Sequence, residues 1–521
     1  MILEKDNLLD QSKLNNLKFF LIFLNLFLSL IQLHLNEFKI SFLIIILFLN
    51  IINIIICNII FNKENLYFFL FPCIILFFSN FYYLFSPLII KLLYFESIFI
   101  NLNNPYESFR IILFYQLAII LSFKVFKLHY LNNDKRKFIL VDMLKLNIFS
   151  NYNKIENRRL FLILFGIKCY IVFLDTGSLY ATDFGDISMK ILYGFERLYF
   201  LPILTTLNLF LIKKISKQEF IIFFLIYTFS VIFFALLTNS RTELFSYLFF
   251  VIIILISISL TNKILLEKLL SVRSLLIFII ISIFLNFFSQ TVLESRTYRS
   301  DLTPIELLNK YNRGVDKNFE KQNNNSIIGP EDYVQNNVLN RITSIKFFDK
   351  SLYEYSYFDV INKLEFKSFT YNRILAIIPQ NLINIFNKDY KKIEYQIATG
   401  SYLEQKLNFR QTGDLNTGSY LVELYNLNNS YILSFIAIFI IFYLSFYILS
   451  NFQNMEKNKI TYSPLIFILF LIFNKLTISD NLLAIISNLI RSPLEIIILN
   501  FFLYLIVKKK LNYLDEINTN K

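Results

Sequence analysis

The sequence predicts an all-α polytopic integral membrane protein with about twelve transmembrane helices and one large, partly helical extracytoplasmic loop. Three observations carry that prediction. Of 521 residues, 56% are hydrophobic and 17% charged, with a mean hydropathy of +0.54, whereas a soluble domain has about a quarter of its residues charged. Runs such as Phe19–Leu33, Phe42–Phe61 and Leu275–Phe288 carry no charge at all, and a bilayer core needs roughly 20 apolar residues per helix. A polar stretch of about 140 residues, Thr291 to Ser430, then separates two blocks of near-continuous apolar segments. The abundance of Asn, Ile, Lys, Phe and Tyr, with no Trp, matches the coding bias of an AT-rich genome and carries no functional signal.

Taken in order, the chain opens with Met1–Lys18, of mixed charge, and no small-residue cleavage site follows its first apolar run. That run reads as a retained span and not a signal peptide. The expected spans are 18–34, 40–61, 66–86, 108–126, 158–175, 197–213, 219–237, 243–260, 274–290, 431–450, 463–479 and 492–508, the sixth and eleventh being the weakest. Residues 1–290 thus hold nine spans, 291–430 the loop, and 431–521 three spans and a tail. Cys57, Cys73 and Cys169 all lie in apolar segments without metal or disulfide spacing, and read as packing residues.

Charge placement orients the chain. Lys and Arg should gather in cytoplasmic connections, and they do so in Lys127–Arg159, at Lys213, Lys214 and Lys217, within 263–273 and 457–459, and at Lys508-Lys509-Lys510. Both termini are therefore expected in the cytoplasm and 291–430 outside it, with the inner (plasma) membrane as location. The loop is near neutral, 17 Lys+Arg against 16 Asp+Glu. The formal charge of +13 is explained by this orientation and calls for no nucleic acid.

Arginine follows a different pattern from lysine. Ten of 14 arginines fall on the expected outer side or at outer span ends: Arg110, Arg197, Arg241, Arg296, Arg299, Arg313, Arg341, Arg373, Arg410 and Arg491. By the same topology about 15 of 37 lysines do. Guanidinium binds phosphate and carboxylate in a planar fork, so an outer arginine set points to anion recognition, against the alternatives of local carboxylate pairing or snorkelling. Arg241 lies in the tight turn Thr238-Asn239-Ser240-Arg241-Thr242-Glu243, with Glu243 as an available partner; a charge so near hydrocarbon is costly and is a functional candidate by default. Arg296 and Arg299 follow the ninth span three residues apart, and Arg491 precedes the last. Lys168 is the clearest charge inside a span.

Some chemistry is missing. Only His34 and His129 occur, neither in the loop, which weighs against a zinc hydrolase or a His-dependent transferase. Phosphate-loop, dinucleotide and serine-hydrolase motifs are lacking too, in a chain of nine glycines. A general base would have to be a tyrosine or a carboxylate such as Glu423, Asp414 or Asp480.

The architecture, together with Asn239-Ser240-Arg241-Thr242-Glu243-Leu244, Asn340-Arg341, Asn372-Arg373 with Ile378-Pro379, and Thr417-Gly418-Ser419-Tyr420-Leu421-Val422-Glu423-Leu424-Tyr425, resembles bacterial oligosaccharide repeat-unit polymerases, the Wzy-type O-antigen polymerases. One departure is Asn426-Leu427-Asn428-Asn429, where many members have a Gly-containing turn. The resemblance implies a glycosyltransferase that needs no metal or cofactor and moves a growing glycan from undecaprenyl diphosphate onto a lipid-linked repeat unit at the outer face of the inner membrane. The product would be O-antigen or a capsular or exopolysaccharide; further candidate partners are a chain-length regulator and a flippase. Arg241, Glu423 and Arg296 are the expected catalytic residues, with Arg299, Arg341, Arg373, Arg410 and Arg491 holding substrate or diphosphate. Tyr353, Tyr355, Tyr357, Tyr402 and Tyr420 are candidates to stack on sugars. The alternatives are an O-antigen ligase, whose members carry a loop histidine this chain lacks, and a lipid-linked oligosaccharide flippase or other transporter, which would place charges within spans.

Overall fold

The computed structural model describes residues 2–4, 10–36, 39–132, 152–174, 187–238, 241–261, 333–334, 336–378, 380–395, 397–407, 418–428, 430–456, 459–477 and 481–519. The membrane part begins with α1 (Gln11–Leu35), α2 (Ile40–Ile60), α3 (Leu70–Leu93) and α4 (Pro105–Asn132). It continues with α5 (Lys154–Leu174), α6 (Ile187–Glu196), α7 (Leu201–Leu211), α8 (Lys217–Leu237) and α9 (Arg241–Thr261). A polar layer follows: α10 (Asn337–Ile342), α11 (Ile345–Ser356), α12 (Val360–Leu375), α13 (Gln380–Phe386), α14 (Thr399–Lys406) and α15 (Tyr420–Asn428). The chain then returns through α16 (Tyr431–Ser450), α17 (Pro464–Phe473) and α18 (Leu482–Thr519).

Seven helices among the described residues are long and apolar enough to cross a membrane: α1, α2, α3, α4, α8, α16 and the Leu482–Lys508 part of α18. The protein is therefore helical and membrane-embedded. Helix α5 matches the expected fifth span in position but carries Lys168. The expected sixth and eleventh spans are short apolar helices, α7 and α17, and the expected ninth lies outside the described residues. The last helix begins at Leu482, not at 492, so Arg491 sits inside it.

Lipid tails are as apolar as leucine, so polar pairs and close packing join spans. Asn25 and Ser29 of α1 both donate to Asn50 of α2, Asn80 of α3 donates to Asn53 of α2 at 2.8 Å, and Gln116 of α4 donates to the Ser79 carbonyl at 3.2 Å. Asn157 of α5 donates to Thr206 of α7 at 2.6 Å. A small antiparallel sheet, β1 (Ile2–Glu4), β2 (Gln453–Glu456) and β3 (Lys459–Tyr462) in the order β1-β3-β2, is an addition to the expected all-α chain among the described residues. It puts the N-terminus beside the α16–α17 connection, and Gln11 likewise bonds the Phe61 carbonyl and the Lys63 amide. Gln453 of β2 also donates to Tyr130 near the end of α4, and Lys154 at the start of α5 pairs with Glu219 in the first turn of α8, so the described ends of the basic connections share one end of the bundle.

The polar layer covers the other end and shares the bundle's core: Phe348, Leu352, Phe366, Leu403 and Val422 belong to the same buried cluster as the spans. Asp349 of α11 accepts from the Asn104 amide at 2.9 Å and the Ser108 hydroxyl at 2.7 Å, at the N-terminus of α4, where an anion is favoured by the helix dipole. Burial nonetheless raises the Asp349 carboxyl above its usual range. Buried Lys91 ties α3 to the layer by donating to Glu96 at 2.6 Å and to the Tyr333 carbonyl at 2.8 Å.

Candidate functional site

Two groups of charged side chains stand out, one where the layer meets the last span and one among the helices. The first is a clamp. Arg373, on the inner face of α12, lies 3.5 Å from Glu423 of α15, and their side chains are 4% and 2% exposed. Glu423 also accepts from the Thr399 hydroxyl and, at 2.7 Å, from the Leu482 amide that opens α18; Arg373 donates to Thr399 as well. Gly418 makes this closure possible, because a Cβ there would stand 2.4 Å from Thr399 Cβ. The carboxylate thereby satisfies a helix N-terminal amide that would otherwise be orphaned. As placed, Glu423 fastens α12, α14 and α15 to the head of the last span.

The second group lies lower, among the helices. Lys168 of α5 bonds Glu196 of α6 at 2.9 Å and Glu243 of α9 at 3.1 Å, with its ammonium over the rings of Tyr199 and Phe234. Glu243, which the sequence offers to Arg241, is thus engaged with Lys168. Next to Glu196, Arg197 reaches Ser492 at 2.9 Å and Glu495 Oε2 at 3.3 Å, and Arg491 Nε reaches the same oxygen at 3.2 Å. Helix α6 packs closely on α18 at Gly194, where a Cβ would meet the flexible end of Glu495, Oε1, at 2.7 Å. Arg197 and Arg491 remain 39% and 53% exposed while Glu495 is 15% exposed, so two partly open guanidinium groups share one recessed carboxylate.

Of the expected site residues, Arg373 and Glu423 meet directly. Arg491 belongs to the second group, and Arg241 opens α9 two residues before Glu243. The side chains of Arg241 and Arg341, and the whole of Arg296, Arg299 and Arg410, lie outside the described residues, as do Asp414 and Asp480. Tyr420 and Tyr355 are buried, donating to the Leu476 carbonyl and to Asn426. Tyr402 stacks on Phe369 at 4.0 Å, and Tyr353 and Tyr357 pack edge to face. Burial pushes the phenols of Tyr355, Tyr390 and Tyr402 up to about 12, which disfavours them as bases. The sequence reading passed over Thr399, Glu196 and Glu495. Glu495 follows Arg491 by four residues, a helical pairing distance; nothing local marks the other two.

Comparison with protein-family models, curated proteins and solved structures returns no match to this chain.

Proposed function

We propose that this chain polymerises lipid-linked oligosaccharide repeat units, transferring a growing glycan from undecaprenyl diphosphate without a metal, at the outer face of the inner membrane. The observation that carries the reading is the sharing of Glu495 by Arg197 and Arg491, beside the helix that starts with Arg241. An arriving diphosphate offers two partly exposed guanidinium groups a stronger bidentate partner than one carboxylate. Cations so placed would stabilise the charge that develops on the leaving diphosphate. On this reading the polar layer, held at the head of α18, supplies a roof for the glycan, and the resemblance in sequence points to the same reaction.

A second reading, a lipid-linked oligosaccharide carrier, draws on the buried Lys168–Glu196–Glu243 group, since ionisable residues among spans often mark a transport path. Two measurements separate them. In cells whose surface glycan depends on this chain, Arg241→Ala, with insertion verified, is expected to abolish the long-chain ladder on a gel; an undiminished ladder removes Arg241 from the site. Deleting the whole chain should leave single lipid-linked repeats on the outer leaflet. Repeats stranded on the inner leaflet would instead identify the carrier.

A further inference from the structure

Helix α12 has two distinct faces. Phe366, Phe369, Thr370 and Arg373 are buried against the rest of the protein, whereas Ile361, Leu364 and Tyr371 project outward, spaced by three and seven as one side of a helix requires. Leu364 is 61% exposed. The next helix, α13, continues the outward apolar surface with Leu382, Ile385 and Phe386, the last 91% exposed. Such a surface is costly in water.

Its place in the fold says what covers it. Through Arg373, α12 is fastened to Glu423 and the Leu482 amide, where α18 begins, and α15 runs on through Ser430 into α16. The C-terminal end of the helix therefore sits at the level where two spans leave the bilayer. Those spans carry outward apolar side chains of their own, such as Ile432 and Leu433 in α16 and Ile490 in α18, and Ile432 and Leu433 stand in the first turn after Ser430, so the apolar exterior of the spans begins where α15 hands over to α16. Charged residues border it: Lys367 and the Glu365–Lys406 pair beside the α12 stripe, and exposed Lys388, Asp389 and Lys391 just after α13. Apolar residues in a row with lysines alongside are the signature of a helix lying in the interface, its apolar face sunk about 5–10 Å into the head-group and acyl boundary.

We infer that α12 and α13 form an interfacial helix pair, seated on the surface of the bilayer that the chain spans. This holds whatever reaction the protein performs. The pair would keep the polar layer at membrane level, because α12 carries lipid contacts on one face and the Arg373 clamp on the other.

The chain contains no Trp, so single substitutions give a fluorescence signal without background. Full-length Leu364→Trp and Phe386→Trp, reconstituted one copy per phosphatidylcholine nanodisc, should show blue-shifted emission and lose intensity when the lipid is brominated near the carbonyl end of its chains. Iodide in solution should quench them weakly. Strong iodide quenching with no response to brominated lipid overturns the proposal in favour of a water-exposed face. Insensitivity to both quenchers in single-copy discs overturns it in favour of cover by another segment of this chain. Shielding from iodide that appears only with two copies per disc, again without a bromine response, overturns it in favour of a second copy.

Discussion

At the residue scale, the Arg373–Glu423 pair separates two roles that sequence leaves together, since an outer carboxylate can be a base or a tether. Glu423 is buried and accepts from three partners on three elements, so its first duty is to hold the layer. Removing one member of a buried pair typically costs about 3–5 kcal/mol, because the other charge is left uncompensated, whereas replacing both is far milder. Arg373→Met is therefore expected to lower the thermal midpoint in detergent strongly, and Arg373→Met with Glu423→Gln to recover most of it. Equal midpoints for the native chain and the single variant would show that the pair clamps nothing. In the recovered double variant, a persisting glycan ladder would mark Glu423 as a tether, and a lost ladder in a stable protein would mark this pair as part of the chemistry.

At the scale of elements, two glycines that look alike in sequence have opposite standing. Gly418 packs on Thr399 so closely that a Cβ would stand 2.4 Å from Thr399 Cβ and 3.0 Å from the Gly400 amide nitrogen, so α15 cannot approach α14 with any side chain there. Gly418→Ala is expected to destabilise by about 1–3 kcal/mol, the usual cost of overpacking. Gly166, inside α5, faces nothing within 4 Å, and Gly166→Ala should be neutral or stabilise by about 0.5–1 kcal/mol through helix propensity. Thermal midpoints of the two variants, compared side by side, check the contrast; a tolerated Gly418→Ala would refute the close approach of α14 and α15. Element ends were less legible than element existence. Helix α18 runs unbroken from Leu482 through Pro493, although proline is a helix breaker in isolation; within a membrane bundle, neighbouring helices and local adjustment make such a proline tolerable.

At the scale of the molecule, polarity is set by which connections share an end. The sheet of β1 with β2 and β3, the Gln11–Phe61 contact and the Lys154–Glu219 pair gather the described ends of the basic connections at one end, and the layer gathers at the other. With the basic end cytoplasmic, a chain lacking Cys57, Cys73 and Cys169 should accept an impermeant maleimide at Lys388→Cys in intact cells, and at Glu64→Cys only after permeabilisation. The reverse pattern would invert the orientation.

By itself the sequence determined the class of protein, the polar layer between two apolar blocks and the relative sides of the connections. These follow from local properties: hydropathy over a helix length and the sign of charge in a loop. Only the tertiary structure decided that Glu243 pairs with Lys168, that Arg197 and Arg491 share Glu495, and that Glu423 binds the first amide of α18. Apart from Arg491 and Glu495, one helical turn apart, these partners lie 59 to 298 residues apart in the chain; they are chosen by packing, and packing is set by contacts that no local pattern records.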